Sequence, residues 1–225
     1  MDAPVEIVDY DPRWPQVFAG LSDRITAAVG GLAQRVEHVG STAVPELAAK
    51  PIIDLAVVIA TRDDLPAVVA SFLAIGYRPR GDLGIPGREA FARPPDSPPH
   101  HLYVCAADNE NLARVLAFRD FLRAHPSTAQ AYATLKRSLA HRFRTDRAAY
   151  TSAKTAFIDD VVAKALSESS GRDLVTGVQV GRSPAVDRLI GPHGLTFPQV
   201  SAIRQKTATP VSRVRRCPRG RSSPT

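Results

Sequence analysis

The sequence predicts a protein of the α/β or α+β class, with a mixed sheet, flanking helices and a C-terminal helical lobe. Strand patterns are interleaved with helical periods through roughly the first hundred residues. The period then becomes helical and stays so up to Ser169. A third observation is a Gly40-Ser41 turn that leads into an apolar strand carrying a single carboxylate, Asp54.

The sheet part, about residues 1–107, is assigned from apolar spacing and from Gly and Pro punctuation. The strand at 51–60 is predicted to be buried on both faces, because its residues are almost all apolar and many are β-branched. In order, the predicted elements are a strand at Val5–Tyr10, a helix from Gln16 to Gly30, strands at Arg35–Val39 and Pro51–Ala60, a helix from Asp63 or Asp64 to Gly76, and strands at Tyr77–Arg80, Glu89–Arg93 and His101–Cys105.

The helical lobe, about residues 108–169, is predicted to contain three helices. Their approximate bounds are Asn109–Ala124, Ser127–Phe143 and Asp146–Ser167. Beyond Ser169 the apolar periodicity fails, and Arg, Pro and Ser become frequent. We therefore predict one domain at 1–169 and a disordered basic tail at 170–225.

The positive charge of the chain lies in this tail. Residues 170–225 hold ten basic and two acidic side chains, whereas residues 1–169 hold nineteen basic and twenty acidic ones. The body is therefore close to neutral, and contact with nucleic acid is expected only through the tail.

The remaining composition points to a cytoplasmic protein. The sequence has no apolar run long enough for a membrane span and no signal-peptide pattern at its start. Two cysteines, Cys105 and Cys217, do not make a disulfide framework.

The strongest chemical signal lies between the two central strands. Gly40 can take backbone angles closed to other residues and lets a ligand approach the main chain. Ser41 follows at a helix start, which is a natural place to hold an anion. Asp54 needs a partner, because burying a bare carboxylate is costly. That partner is either a ligand or metal ion, or a structural salt bridge with Lys50 or Arg88.

A Gly-Ser turn followed by a strand with an acidic residue is the frame of nucleotidyltransferase-type folds. In that frame the turn holds nucleotide phosphates, and two carboxylates spaced by one residue hold magnesium ions. Here the residue two positions after Asp54 is Ala56. One carboxylate does not fix the octahedral geometry of two ions, so binding is favoured over catalysis. If the chain is catalytic, Mg²⁺ is the expected cofactor and Asp54 its ligand.

Several motifs stand in a recognisable order: Val39–Pro45, Lys50–Asp54, His101–Val104, Phe118–Pro126, and then Tyr132, Lys136, Tyr150 and Lys154. Together they resemble the GrpB family, also called UPF0157, over about residues 5–166. The resemblance implies a nucleotidyltransferase-like fold and a similarity to the C-terminal accessory domain of some actinobacterial dephospho-coenzyme A kinases. Two positions depart from the family pattern, namely Glu46, where glycine is usual, and Tyr103, where a second histidine is common.

The motifs give a set of candidate site residues. Asp54 and His101 are the candidates for catalysis, and Asp54 is also the candidate metal ligand. The candidates for holding ligand or phosphate are Gly40, Ser41, Thr42, Lys50, Arg119, Lys136, Tyr150 and Lys154. His100 and His101 are adjacent on a strand and point to opposite faces, so only one of them can belong to a given site.

Each candidate also has a structural interpretation. His101 is alternatively a core or hairpin histidine. The two Tyr–Lys pairs are spaced i,i+4, so they either line a cleft or form solvated helix faces. Arg119 supplies either outer charge to the site or a surface ion pair with Asp120.

We therefore predict a protein that binds a nucleotide or another phosphorylated small molecule between the Gly-Ser turn and the helical lobe. If it is an enzyme, the expected reaction is metal-dependent nucleotidyl transfer. The alternative is a non-catalytic folding-accessory or interaction module with a protein partner. Kinase activity is not predicted, because the sequence contains no Gly-x-x-x-x-Gly-Lys-Ser/Thr motif.

Overall fold

The protein is described by a computed structural model that gives the backbone of residues 4–176 and the side chains of residues 4–169. The strands are β1 (Ala33–Val39), β2 (Ile53–Ile59), β3 (Arg78–Pro79), β4 (Arg88–Ala92) and β5 (His100–Ala106). The helices are α1 (Trp14–Val29), α2 (Leu65–Ala74), α3 (Glu110–Ala124), α4 (Pro126–Arg142), α5 (Arg147–Ser152) and α6 (Thr155–Thr176). The predicted mixed α and β class with a C-terminal helical lobe is confirmed.

The two central strands of the sheet, β2 and β5, run parallel to each other. The strand order is β1-β2-β5-β4-β3, and the other neighbouring pairs are antiparallel. In the parallel register Asp54 lies beside His101, and Ala56 lies beside Tyr103. Because side chains alternate along a strand, these four residues share one face of the sheet.

The opposite face of the sheet is a dry apolar core covered by α1 and α2. Leu55 of β2 and Leu102 of β5 are almost completely buried there, together with Ile25 of α1 and Phe72 of α2. The amphipathic spacing of the two helices supplies the apolar stripes that this face requires. This side of the sheet therefore serves stability.

The helical lobe lies on the face that carries Asp54. Val44 and Leu47, from the loop that follows the Gly-Ser turn, pack into an apolar cluster with Phe121 and Leu122 of α3 and Tyr132 of α4. The loop is thereby held between the sheet and the lobe. This packing brings the turn, the strand carboxylate and the lobe helices together.

Two predicted elements differ from the structure. The alternation over Val5–Tyr10 predicts a strand, but this segment makes only one β-bridge, between Val8 and Ala49. The third predicted lobe helix is divided into α5 and α6, and the break falls at Ala153 and Lys154.

At the C-terminal end of the domain, α6 runs past the predicted limit at Ser169 to Thr176. The rest of the predicted disordered tail lies outside the described residues. Within residues 4–176, no helix combines the length and the hydropathy that crossing a lipid bilayer requires.

Candidate functional site

A cavity of about 280 Å³ lies between the Gly-Ser turn, the first residues of β2 and β5, and the helices α4 and α5. We call it the cationic cavity. Most of the predicted site residues line it, namely Ser41, Thr42, Lys50, Asp54, His101, Lys136, Tyr150 and Lys154. The structure therefore collects residues that are up to about a hundred positions apart in the sequence into one cleft.

The charges that line the cavity are strongly unequal. Lys50, Lys136, Arg147 and Lys154 contribute four basic side chains, whereas Asp54 is the single carboxylate among the lining residues. Clefts lined by one sign of charge concentrate ions of the opposite sign, since low-dielectric walls weaken screening. The cavity is therefore suited to an anion.

Asp54 is partnered by His101. The Nδ1 atom of His101 lies 2.8 Å from Asp54 Oδ1, and both side chains are partly exposed to the cavity. An ionised carboxylate only accepts hydrogen bonds, so this contact places the proton of the ring on Nδ1 and leaves Nε2 available to a second partner. The predicted salt-bridge alternatives, with Lys50 or Arg88, are not formed.

The neighbouring histidine has a different role. His100 points to the other face, where it is 3 % exposed and its Nε2 lies 2.7 Å from the Tyr77 hydroxyl. Its Nδ1 lies 2.7 Å from the carbonyl of Pro98. His100 is therefore a buried structural residue, as the alternation along the strand predicts.

Gly40 fits tightly beneath Asp54. Its φ is 71°, which is in the left-handed region, and a Cβ atom built on it would lie 2.3 Å from Asp54 Oδ2. Both observations require glycine, one through backbone conformation and one through space. Gly40 thus supports the carboxylate from below and does not itself line the cationic cavity.

Lys136 enters the cavity from α4 and is 2 % exposed. Its Nζ donates to the carbonyl of Ala48 and lies 4.7 Å from the centroid of the Tyr132 ring. Burial, reinforced by the nearby charge of Lys154, lowers the pKa of Lys136 to about 7. This lysine is therefore poised to change its charge near neutral pH.

The second Tyr–Lys pair also faces the cavity. The Nζ atoms of Lys50 and Lys154 lie 4.5 Å and 4.4 Å from the centroid of the Tyr150 ring. Burial, followed by repulsion from Lys50, lowers the pKa of Lys154 to about 8. Lys136, Tyr150 and Lys154 thus line the cavity, whereas Tyr132 is buried in the apolar cluster, so neither pair forms a solvated helix face.

The hydroxyl of Thr42 is already engaged by the protein. It lies 3.0 Å from Nε2 of His38 and donates to the carbonyl of Ile52 at 3.4 Å. His38 itself stacks on Phe18, and burial lowers its pKa to about 4. This pair fixes the Gly-Ser turn to β1.

Arg119, predicted as outer charge for the site, lies away from the cationic cavity. It is 8 % exposed, and its guanidinium donates to Glu37, to Asp120 and to the carbonyl of His38. Arg123, one turn later on α3, donates to the carbonyl of Ala43. Arg119 is therefore not a surface ion-pair residue either. Together, Arg119 and Arg123 connect α3 to His38, which precedes the Gly-Ser turn, and to Ala43, which follows it.

Sequence reasoning missed Arg147 and gave Tyr103 no place in the site. Arg147 is the first residue of α5 and lies three positions before Tyr150, so the i,i+3 spacing was an available signal. Arg142 and Arg144 precede it closely, so nothing in the sequence distinguished Arg147 from these arginines. Tyr103 lies two residues after His101 on the same face of β5 and lines the cavity beside it.

The donor set does not fit a metal site made by protein groups alone. Within the part of the chain that is described, no group of three or more His, Cys, Asp or Glu side chains is placed to hold one ion. Ala56 occupies the strand position where a second carboxylate would be needed. This set of ligands therefore does not support two-metal chemistry.

A mixed sheet, a Gly-Ser turn beside a strand carboxylate and a helical lobe across the cleft define an α+β protein with a basic cleft between sheet and lobe. The family model described as GrpB protein matches residues 4–164, and the chain belongs to the GrpB family. The crystal structure of the conserved protein GrpB from Enterococcus faecalis is similar, with a TM-score of 0.67 and 34% identity. That similarity covers 73% of this chain and 99% of the Enterococcus chain.

Curated relatives agree with this assignment. The UPF0157 protein YqkA of Bacillus subtilis is 33% identical over 77% of this chain, and the match spans half (50%) of YqkA. A dephospho-CoA kinase of Mycolicibacterium paratuberculosis is 29% identical over 72% of this chain, and the match spans 46% of the kinase.

Proposed function

We propose that this GrpB-family protein binds a phosphorylated small molecule, with a nucleotide as the leading class, in the cationic cavity. One observation carries the proposal: four basic side chains surround the cavity and one carboxylate opposes them. A phosphate chain supplies the missing negative charge and enough acceptor oxygens for several donors at once. Ser41 and the turn backbone lie at the same cleft and add uncharged donors.

The buried lysines make this binding dependent on protons. Burial lowers the pKa of Lys136 to about 7 and that of Lys154 to about 8. A phosphate placed beside them favours their charged forms and raises both pKa values again. Binding near pH 8 is therefore accompanied by proton uptake. Calorimetry in buffers of different ionisation enthalpy measures that uptake.

If the protein is catalytic, Asp54 and His101 are the proposed reacting pair. The carboxylate orients the imidazole, and His101 Nε2 can then exchange a proton with an acceptor hydroxyl or a water held in the cavity. If a magnesium ion takes part, Asp54 would hold it, since it is the single carboxylate that lines the cavity, and the ion would supply charge neutralisation at the phosphates.

Titration calorimetry on the full chain tests the proposal. Nucleoside triphosphates and coenzyme A precursors are titrated with and without magnesium, at two salt concentrations. We expect saturable binding that weakens with salt. Replacing Lys154 by Met should weaken it at least about tenfold, because a charge-assisted hydrogen bond contributes about 1.5–3 kcal/mol.

Lys164→Met is the matched control. Lys164 is an exposed lysine that pairs with Asp160 on α6 and does not line the cavity. We expect this variant to bind like the parent protein. Equal losses in the two lysine variants, or no binding of any phosphorylated compound, would contradict the proposed site.

The match with dephospho-CoA kinases supports a second candidate, a non-catalytic folding-accessory or interaction module. On this hypothesis the chain raises the refolding yield of a dephospho-CoA kinase that lacks such a domain. Light scattering during refolding, with and without the chain, measures the effect. A yield that rises equally with the parent protein and with Lys154→Met would favour this module over ligand binding.

A further inference from the structure

A second cavity adjoins the cationic cavity on the same face of the sheet. Its volume is about 200 Å³, and Asp54 and Tyr103 line both cavities. We call it the apolar cavity, because most of its other lining residues are apolar: Val39, Ala56, Cys105, Leu112 and Val115. It lies between the sheet and α3.

Arg88 is the basic residue of the apolar cavity and is incompletely satisfied. Its guanidinium lies 4.4 Å from the centroid of the Tyr103 ring, and its Nη2 donates to the carbonyl of Asp82 at 3.1 Å. Its Nε is buried and has no hydrogen-bond partner among the described residues. A buried donor without a partner is costly, and native proteins seldom keep one without a reason.

Cys105 and Asn111 add neither a charge nor a reactive nucleophile to the apolar cavity. Burial raises the pKa of Cys105 to about 11, so its thiol remains neutral and is a poor nucleophile at physiological pH. Asn111 is the uncharged polar residue on the α3 side. An apolar wall with a few fixed polar groups is typical of a small-molecule site.

We infer that the two cavities are compartments of one site, and that the apolar cavity receives the uncharged part of the phosphorylated ligand, with an acceptor atom of that part bound by Arg88. The inference rests on the proposed function. The ligand is then bipartite: its phosphates lie among the lysines, and a ring or short apolar group with at least one hydrogen-bond acceptor lies beyond Asp54. The combined volume suits a molecule of nucleotide size.

Ala56 connects this inference with the departure noted in the sequence. A carboxylate at position 56 would project into the apolar cavity, bring a second negative charge beside Asp54 and take up part of the space. Alanine instead leaves space beside Tyr103, its neighbour on β5. The residue that weakens a two-metal site therefore creates room for an uncharged group.

Comparing tripolyphosphate with nucleoside triphosphates tests the inference, because only the nucleotides carry an uncharged part. Calorimetry on the full chain should show at least tenfold tighter binding of one or more nucleoside triphosphates than of tripolyphosphate. In Ala56→Leu, which fills the apolar cavity, that advantage should fall to within twofold, while tripolyphosphate binds as before. Arg88→Lys, which keeps the charge but removes Nε, should lose most of the same advantage.

Arg78→Lys on the neighbouring strand β3 is the matched control, since Arg78 is exposed and lines neither cavity. It should keep the full advantage. Equal binding of tripolyphosphate and every nucleotide overturns the inference but leaves the proposed function standing. Failure of tripolyphosphate and of every nucleotide to bind overturns both. Circular dichroism confirms that the variants are folded.

Discussion

The two faces of the central strands β2 and β5 place the same stretches of chain in opposite environments. On one face Leu55 and Leu102 are packed against α1 and α2 and are almost fully buried. On the other face Asp54 and His101 form a polar pair that borders open cavities. The first face tolerates no polar group without a partner, whereas the second keeps charges that a purely structural sheet would avoid.

His100 and His101 show the difference within one dipeptide. His100 is enclosed and bonded on both ring nitrogens, and burial is the main cause that lowers its pKa. His101 has one nitrogen held by Asp54 and borders the cationic cavity with the rest of its ring. Residue type alone does not separate a structural histidine from a candidate catalytic one. The face of the strand separates them.

The largest expected effect comes from creating a cavity in the dry face, by which we mean the apolar face of the sheet that α1 and α2 cover. Leu55→Ala removes a side chain that is 0 % exposed, and we expect it to lower the free energy of unfolding by about 2–5 kcal/mol. Urea denaturation measures the loss. Tripolyphosphate binding should be retained under conditions where the variant is folded, because Leu55 points away from the cavity.

His101→Asn on the cavity face is the comparison for Leu55→Ala. Its pair with Asp54 is partly exposed, so we expect a change below about 1 kcal/mol. Similar losses in the two variants would mean that the two faces are not energetically distinct.

The next effect comes from disturbing the support beneath Asp54. Gly40→Ala combines a left-handed φ of 71° with a Cβ only 2.3 Å from the carboxylate. We expect a loss of about 1–3 kcal/mol in the free energy of unfolding and displacement of Asp54 from His101. Denaturation and the NMR signal of the His101 ring measure the two consequences.

Gly20→Ala is the control for this change. A Cβ at Gly20 meets nothing within 4 Å, and Gly20 lies inside α1. There we expect a gain of about 0.5–1 kcal/mol, since alanine is the better helix former. A Gly40→Ala protein of unchanged stability would show that the turn can move away from Asp54.

A smaller effect is the pH dependence that Lys136 adds to stability. Its pKa is lowered from 10.5 to about 7 on folding, so between these values the unfolded state binds more protons than the folded state. Stability therefore rises with pH through this window. From pH 7 to pH 9 we expect Lys136 to contribute a rise on the order of 1–2 kcal/mol.

Lys136→Met should remove the part of the rise that Lys136 contributes and leave the parts due to Lys154 and Lys50, whose pKa values are also lowered. Denaturation at pH 7, 8 and 9 measures the slope for each variant. The exposed Lys164→Met should keep the slope of the parent protein. A slope that does not change in Lys136→Met would mean that Lys136 is charged throughout this range.

The sequence was informative wherever local rules decide the outcome. The period of the apolar residues predicted where most of the strands lie along the chain, and the alternation along β5 assigned His100 and His101 to different faces. Gly40 was singled out for its backbone, which the φ of 71° confirms. The i,i+4 spacing related each tyrosine to its lysine, although it could not say which way the pair would face.

Other features depend on tertiary contacts that no local rule contains. Arg119 is followed by Asp120 in the sequence, which is typical of a surface ion pair. In the structure, the packing of α3 against β1 buries Arg119 beside Glu37. Val5–Tyr10 alternates as a strand does, but only Val8 finds a partner, at Ala49. The apolar cavity forms between α3 and the sheet, so no local sequence pattern predicts it.

The smallest effect concerns Glu46, in the loop between the Gly-Ser turn and β2. The residue is exposed and has a φ of 61°, a conformation that glycine adopts without strain and other residues adopt at a cost of about 1–2 kcal/mol. The backbone of this loop thus has a conformation that glycine would adopt without strain. Glu46→Gly should raise the free energy of unfolding by about 0.5–1 kcal/mol, after the greater backbone freedom of glycine in the unfolded chain is subtracted.

Glu46→Ala separates backbone strain from any effect of the side chain. It keeps the Cβ and the strain, so we expect denaturation midpoints within error of the parent protein. A gain of equal size with alanine and glycine would instead assign the cost to the Glu46 carboxylate. Dry-face positions such as Leu55 have ordinary φ values, whereas Glu46 and Leu83, the two described non-glycine residues with positive φ, are both exposed. Backbone strain in this part of the chain is thus confined to exposed loops, where a change of residue alters stability without disturbing the packed face of the sheet.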